Sequence, residues 1–258
     1  MESSYLILFM IMAVAVGFST VIGAGVGILL RSLPHRFNDI ILGAASGIML
    51  AAAVLGLIIP ALEQGGAWSV PLCFIGVFAG AFLISVLDKI TPHLHHIAGT
   101  DKLEEVHKNN HSLDKTLLFI SAIALHKIPE GLAAGISFGT GELNDILSVT
   151  GSISLQNIPE AMVIIVPLLT VGITVKRTLL IAVSIGAISI LSMLVGFGFV
   201  FLVHGLLSLF LGLAGGAMLY VVSDEMIPET HSHGYEKPAT FSLIAGFMLI
   251  MLLQQLLP

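Results

Sequence analysis

The chain has 258 residues, of which 56% are hydrophobic and 10% charged, and its mean hydropathy is +1.03. A typical soluble domain carries roughly 25% charged residues, so this chain cannot clothe a water-facing surface; a soluble enzyme, a disordered chain and a nucleic-acid binder are poor readings. Ten Lys+Arg against sixteen Asp+Glu, net −6, offer no basic patch for phosphate backbones, and one cysteine, Cys73, excludes an internal disulfide framework and a cysteine-rich metal cluster.

Apolar stretches of about 18 residues or more are membrane-span candidates, because about 20 helical residues cross the hydrocarbon core. Eight occur in chain order: 5–30, 40–62, 68–88, 116–138, 146–170, 178–202, 205–223 and 239–257. The first begins Met1-Glu2-Ser3-Ser4, without the positive leader of a cleaved signal peptide, so it is expected to remain a helix. No lipidation motif is found. Short breaks separate most spans, such as Arg31-Ser32-Leu33-Pro34, Glu63-Gln64-Gly65-Gly66 and Lys176-Arg177. One gap, 89–115, is long and hydrophilic, and the sixth and seventh spans are nearly continuous around His204-Gly205. The spacing predicts an all-α integral membrane protein of eight transmembrane helices, a single domain over 1–258 with 89–115 as a His-rich loop inside it.

Eight spans place both termini on one side. Nine of the ten basic residues then fall opposite them: Arg31, Arg36, Lys89, Lys102, Lys108, Lys115, Lys176, Arg177 and Lys237. The loops on the terminal side carry acids only: Glu2, Glu63, Glu142 and Asp145. The positive-inside rule therefore predicts a cytoplasmic loop at 89–115 and extracytoplasmic termini in a plasma (cell inner) membrane.

The tenth basic residue, Lys127, lies inside the fourth span, where ionisable groups are costly and mark function. That span contains Leu125-His-Lys-Ile-Pro-Glu-Gly131, and the fifth contains Leu155-Gln-Asn-Ile-Pro-Glu-Ala161. The shared Leu-x-x-Ile-Pro-Glu reads as an internal repeat on neighbouring helices. His126 and Glu130 are i,i+4, as are Gln156 and Glu160, so each pair shares one helix face. Pro129 and Pro159 lack an N–H and permit bending. Two buried carboxylates so placed would repel unless one took up a proton or a divalent cation lay between them. Nitrogen-plus-carboxylate ligation suits Zn²⁺ or Fe²⁺ better than Mg²⁺ or Ca²⁺. A structural His–Glu hydrogen bond in a kinked helix, or a proton relay for another solute, is the competing reading.

At these residues the chain resembles the ZIP family of divalent-metal transporters, most closely its GufA-like branch. His-x-x-Pro-Glu-Gly in the fourth span and Gln-Asn-x-Pro-Glu in the fifth carry the resemblance, which extends over essentially the whole chain. It implies a ZIP-like helical bundle, a homodimer, and import of zinc, with iron, cadmium or manganese as further cargo. It implies that His126, Glu130, Gln156 and Glu160 are metal ligands, completed by Met49 of Gly47-Ile48-Met49-Leu50-Ala51-Ala52. Members of the branch can hold a second metal with an Asn after the fourth-span His, an acid or Asn after the fifth-span Gln, and a Glu in the sixth span. Here those places hold Lys127, Asn157 and roughly Ser189, so Lys127 is expected to act as a fixed cation in place of a second metal.

Two peripheral groups remain. Pro92-His93-Leu94-His95-His96, with His107 and His111, suggests a metal-collecting loop, and a polar connector that happens to be His-rich explains it as well. Span seven ends Asp224-Glu225-Met226-Ile227-Pro228-Glu229-Thr230-His231-Ser232-His233. With Asp88 it could form an exit relay; solvated helix-end charges are the plain alternative. Glu63 is an entrance candidate. No P-loop, Ser/His/Asp set or paired CxxC is present, so neither ATP use nor an organic cofactor is expected. The rivals are an intramembrane metalloenzyme, which needs more than one His per site, and a proton-coupled carrier of an organic solute.

Overall fold

The structure is a computed structural model that describes residues 3–30, 35–63, 66, 68–97, 124, 127–170, 172–202, 206–232 and 234–256. Among the described residues the chain forms eight helical rods. Helix α1 is Ser3–Leu29. Helix α2 comprises His35–Ala51, a π turn at Ala52–Ile58 and a last α-helical stretch at Ile59–Glu63. Helix α3 is Ser69–Ile97. Helix α4 is described over 127–136 and continues as the 3-10 turn Ser137–Thr140. Helices α5 and α6 are Leu143–Thr170 and Val175–Leu202. Helix α7 comprises Leu207–Val221, a π turn at Val222–Met226 and Ile227–Thr230, and α8 is Glu236–Leu256. Six of these are long and apolar enough to cross a membrane. The remaining two, α4 and α5, carry the midpoint polar groups; α5 has 28 residues, more than the about 20 that a crossing needs.

Where the expected spans are described they fall on the observed rods; of the fourth, 116–123 with 125 and 126 lie outside the described residues, and the seventh rod runs on to Thr230, past the expected end at 223. Helix α3 continues through Lys89 to Ile97, so the first part of the expected loop, including His93, His95 and His96, is helical. The remainder of that loop lies outside the described residues.

Each helix sorts its residues by side. In α1, Phe9, Ala13, Val16, Thr20 and Ala24 are buried, whereas Leu6, Ile7, Met10, Ile11, Val14 and Phe18 are exposed. A three-to-four-residue inward period with apolar side chains on both faces is what a helix between protein and lipid requires.

Small residues fix the packing partners. Four-residue glycine spacings let helix backbones approach closely. Gly23 and Gly27 of α1 lie on Ile158 and Met162 of α5; Gly43 and Gly47 of α2 lie on Ala239 and Leu243 of α8. Gly76 and Gly80 of α3 lie on Leu209 and Leu213 of α7, and Gly131 and Gly135 of α4 lie on Ser189 and Met193 of α6. A Cβ on Gly80 would stand 1.9 Å from the Leu213 carbonyl oxygen, so no other residue fits that contact without moving a helix. In each pair residue numbers rise together, so the helices run parallel. Each pair joins helices of like parity, as parallel pairs among successive antiparallel rods must.

Two groups of helices result. Gly17 of α1 also meets Gly186 of α6, which joins α1, α4, α5 and α6. Gly215 of α7 meets Ala53 and Ile58 in the π turn of α2, which joins α2, α3, α7 and α8. The groups meet where α2 runs along α5, with Gly56 against Val149.

Both π turns stand immediately before an Ile-Pro pair, Ile59-Pro60 and Ile227-Pro228. A proline lacks an N–H and its ring crowds the carbonyl four residues back; widening the preceding turn relieves the clash. Helix α5 instead passes through Ile158-Pro159 as continuous α-helix.

Candidate metal centre

The centre lies where α4 and α5 face each other inside the first group. Lys127, Glu130, Gln156, Asn157 and Glu160 are all buried, none more than 5% exposed. The Lys127 ammonium donates to Glu130 Oε2 at 2.6 Å, to Asn157 Oδ1 at 2.8 Å and to Glu160 Oε2 at 2.5 Å. These three bonds use all three of its donors. Asn157 in turn donates through Nδ2 to the Val16 carbonyl of α1 at 3.0 Å. The midpoint acids expected to converge from two helices do converge, here on one tethered cation. Two carboxylates and one ammonium leave one negative charge, held in a setting where only paired charges are tolerable.

Gln156 is different. Its side chain is fully buried, yet among the described residues neither its Nε2 nor its Oε1 has a hydrogen-bond partner. An unsatisfied buried polar group costs about 1–3 kcal/mol, and among the described residues nothing offsets that cost for this amide. Met49 of α2 is fully buried in the same contiguous core as Ala133 of α4 and Ile153 of α5, each one turn from a polar group of the centre. His126 lies outside the described residues. Among the described residues, no three His, Cys, Asp or Glu side chains stand close enough together to hold a metal ion. Ser189, at the place of the missing sixth-span acid, is buried in α6, and its backbone packs on Gly131 next to Glu130.

The sequence reading missed three groups. Ser148 and Ser152 are buried and extend the four-residue spacing of Gln156 and Glu160 up α5; Ser148 Oγ is also without a partner among the described residues. The spacing is present in the sequence, but single serines inside an apolar helix carry little weight. Asp39 is buried within α2; a span that starts at residue 40 leaves it in the preceding loop.

At one end of the bundle Glu63, Glu142 and Asp145 gather. Burial pushes the Asp145 pKa above its ordinary value; the Thr140 hydroxyl opposes this, and the charges of Glu142 and Glu63 add to it. Beyond Val222, α7 carries Glu225 and Glu229, both half-buried, and His231, whose Nε2 is 3.2 Å from Thr240 Oγ1. Asp88, His93, His95 and His96 follow one another along α3; their side chains lie outside what the structure describes.

Fold and site together define a multi-pass helical membrane protein with a buried charged cluster between two of its helices. The family model for the ZIP zinc transporter matches residues 91–254. The zinc transporter ZIPB of Bordetella bronchiseptica is 38% identical over 246 residues, covering 93% of this chain and 78% of that one. The zinc transporter GufA of Myxococcus xanthus is 33% identical over 243 residues, covering 92% and 94%. A zinc transporter ZupT, of Chlorobium chlorochromatii, is 28% identical over 255 residues, covering 93% and 94%. The chain belongs to the ZIP zinc transporter family, whose members are transporters and not enzymes.

Proposed function

We propose that the protein imports divalent transition metal, zinc foremost, across the plasma membrane into the cytoplasm, without ATP. Iron, cadmium and manganese are the alternative cargoes. Metal binds at mid-membrane to His126, Glu130, Gln156 and Glu160, with Met49 contributing from α2. The observation that carries this reading is the convergence of Glu130 and Glu160, from two helices, on a single buried cation. Paired carboxylates at that depth are stable only with positive charge between them. The unpartnered Gln156 amide adds an oxygen donor, and Zn²⁺ takes such oxygen and imidazole ligands at about 2.0–2.2 Å.

Lys127 and Asn157 fill the place of a second metal, so each chain holds one ion. Cations gather outside at Glu63, Glu142 and Asp145, and leave inward past Asp88, Glu225, Glu229 and His231, with the His-rich stretch after α3 as a collecting surface. The α1–α4–α5–α6 group moves against α2–α3–α7–α8 to expose the centre to each side in turn. The test is radiolabelled zinc uptake into proteoliposomes. Glu130→Ala and Glu160→Ala are each expected to lower uptake at least about tenfold, since each removes a proposed ligand and even the outer partners of metal ligands contribute about 10–100-fold to metal affinity. Uptake unaffected by both substitutions would sink the assignment.

A further inference from the structure

We propose that Lys127 is a tethered counter-ion that enables the empty carrier to return, an inference that rests on the alternating-access reading above. The ammonium is 1% exposed and saturated by three acceptors. Two of these, Glu130 and Glu160, are the proposed cargo ligands. The third, Asn157, is fixed to the Val16 carbonyl. Lys127, Glu130, Asn157, Glu160 and Val16 all belong to the group formed by α1, α4, α5 and α6. Whenever that group moves, the ammonium therefore travels with the two carboxylates.

The consequence follows from charge. With Lys127 present and His126 neutral, the cargo-free centre carries one net negative charge, and a divalent cargo turns it to one net positive. With a neutral residue at 127, the loaded centre would be uncharged and the empty one would carry two negative charges. The cost of moving charge into a poorly polarisable medium grows with the square of that charge. Lys127 thus makes the loaded and empty transits comparable; without it, loading would ease one transit and the empty return would become the bottleneck. The same ammonium contacts both carboxylates, so it also weakens the hold on cargo and favours release.

Net uptake requires the empty return, whereas exchange of external for internal zinc does not. Both are measured on one preparation of the full-length protein in proteoliposomes at one fixed neutral pH. Radiolabelled zinc enters either zinc-free vesicles or vesicles preloaded with unlabelled zinc. Lys127→Met is expected to raise the ratio of exchange to net uptake about sixtyfold or more, the lower end of what an uncompensated intramembrane charge implies. Lys127→Arg, which keeps the charge, is expected to leave the ratio within about twofold of the parent. An unchanged ratio in Lys127→Met overturns the proposal. So does an equal loss of exchange and net uptake in protein that still elutes as a folded species, which would make Lys127 a requirement of cargo binding itself. If Lys127→Met does not fold, Lys127→Gln, which removes the charge and keeps a donor for Asn157, is measured in the same way: a raised ratio supports the proposal, and an unchanged ratio or an equal loss of both fluxes overturns it. Parent protein that moves no zinc in either assay would refute the transport reading instead, and this proposal with it.

Discussion

Under the proposed assignment Gln156 trades stability for use, and this can be tested. Its amide is fully buried and has no partner on either polar atom among the described residues, although a leucine would fill the same space without desolvating anything. Gln156→Leu is therefore expected to raise the melting temperature of the metal-free protein in detergent, by relief of about 1–3 kcal/mol. The same variant should lose most of the thermal shift produced by added zinc, because that shift reports binding to the folded state. A variant neither more stable nor less zinc-responsive would show that the amide is not held for a ligand. Its partner residues illustrate what single residues disclose before any fold is known. Glu130, Gln156 and Glu160 were legible because a duplicated Ile-Pro-Glu sits at the midpoint of two apolar helices, where chance charges are rare. The bonding of Lys127 was legible only in part: its charge pointed to the two acids, but its anchoring through Asn157 to a carbonyl on α1 depends on a contact between residues 141 positions apart. No local pattern encodes that.

The elements are held by backbone-to-backbone approach, and this too can be tested. Gly80 sits where a Cβ would come within 1.9 Å of the Leu213 carbonyl oxygen, whereas a Cβ on Gly198 of α6 would meet nothing within 4 Å among the described residues. Gly80→Ile should destabilise the protein by at least about 1–3 kcal/mol, the usual cost of overpacking, read as a lower melting temperature in detergent. Gly198→Ala should be neutral or stabilising by up to about 1 kcal/mol, since alanine is the better helix former. Equal effects would mean that the α3–α7 contact is not tight. Although part of the fourth expected span lies outside the described residues, hydropathy located the rods where they are described, because each presents an apolar face outward. It did not show which rods pair, because a four-residue glycine spacing occurs on both partners of the α3–α7 contact and on only one partner of several others. Nor did it show the π turns. Proline was expected to disturb the helices at Pro129 and Pro159, yet α5 absorbs Pro159 within regular helix, while Pro60 and Pro228 follow widened turns in α2 and α7. Whether a proline widens a turn is decided by the neighbours available to its freed carbonyl, which is a property of packing.

For the molecule as a whole, basic charge is segregated along the helix axes, whereas acids occur at both ends. Asp145 feels the charge of Glu63, so the end of α2 meets the start of α5. Arg36 stands at the other end of α2, and Lys176 and Arg177 follow the other end of α5. Lys237 opens α8, which runs parallel to α2. The acidic mouth thus lies away from the basic residues, which at their own end stand among the acids Asp224, Glu225, Glu229 and Glu236, and the acidic mouth is the proposed point of metal entry. Negative charge at a mouth concentrates cations locally and speeds their capture. Asp145 should lose that charge on acidification at a higher pH than an ordinary aspartate, because burial and its acidic neighbours favour its protonated form. The sign for stability runs the opposite way from that of a salt-bridged acid. With the folded-state pKa raised, the stabilising contribution is complete below the ordinary aspartate value of about 3.9 and is lost as pH rises through the elevated one. At neutral pH the ionised Asp145 is therefore a burden on the fold and an aid to capture. Asp145→Asn should raise the melting temperature slightly at neutral pH while raising the zinc concentration for half-maximal uptake, with the maximal rate nearly unchanged. As pH falls through the elevated pKa, parent and variant should converge in both respects. Loss of maximal rate at saturating zinc would instead place Asp145 in the translocation step, and a lower neutral-pH melting temperature would show that its negative charge supports the fold.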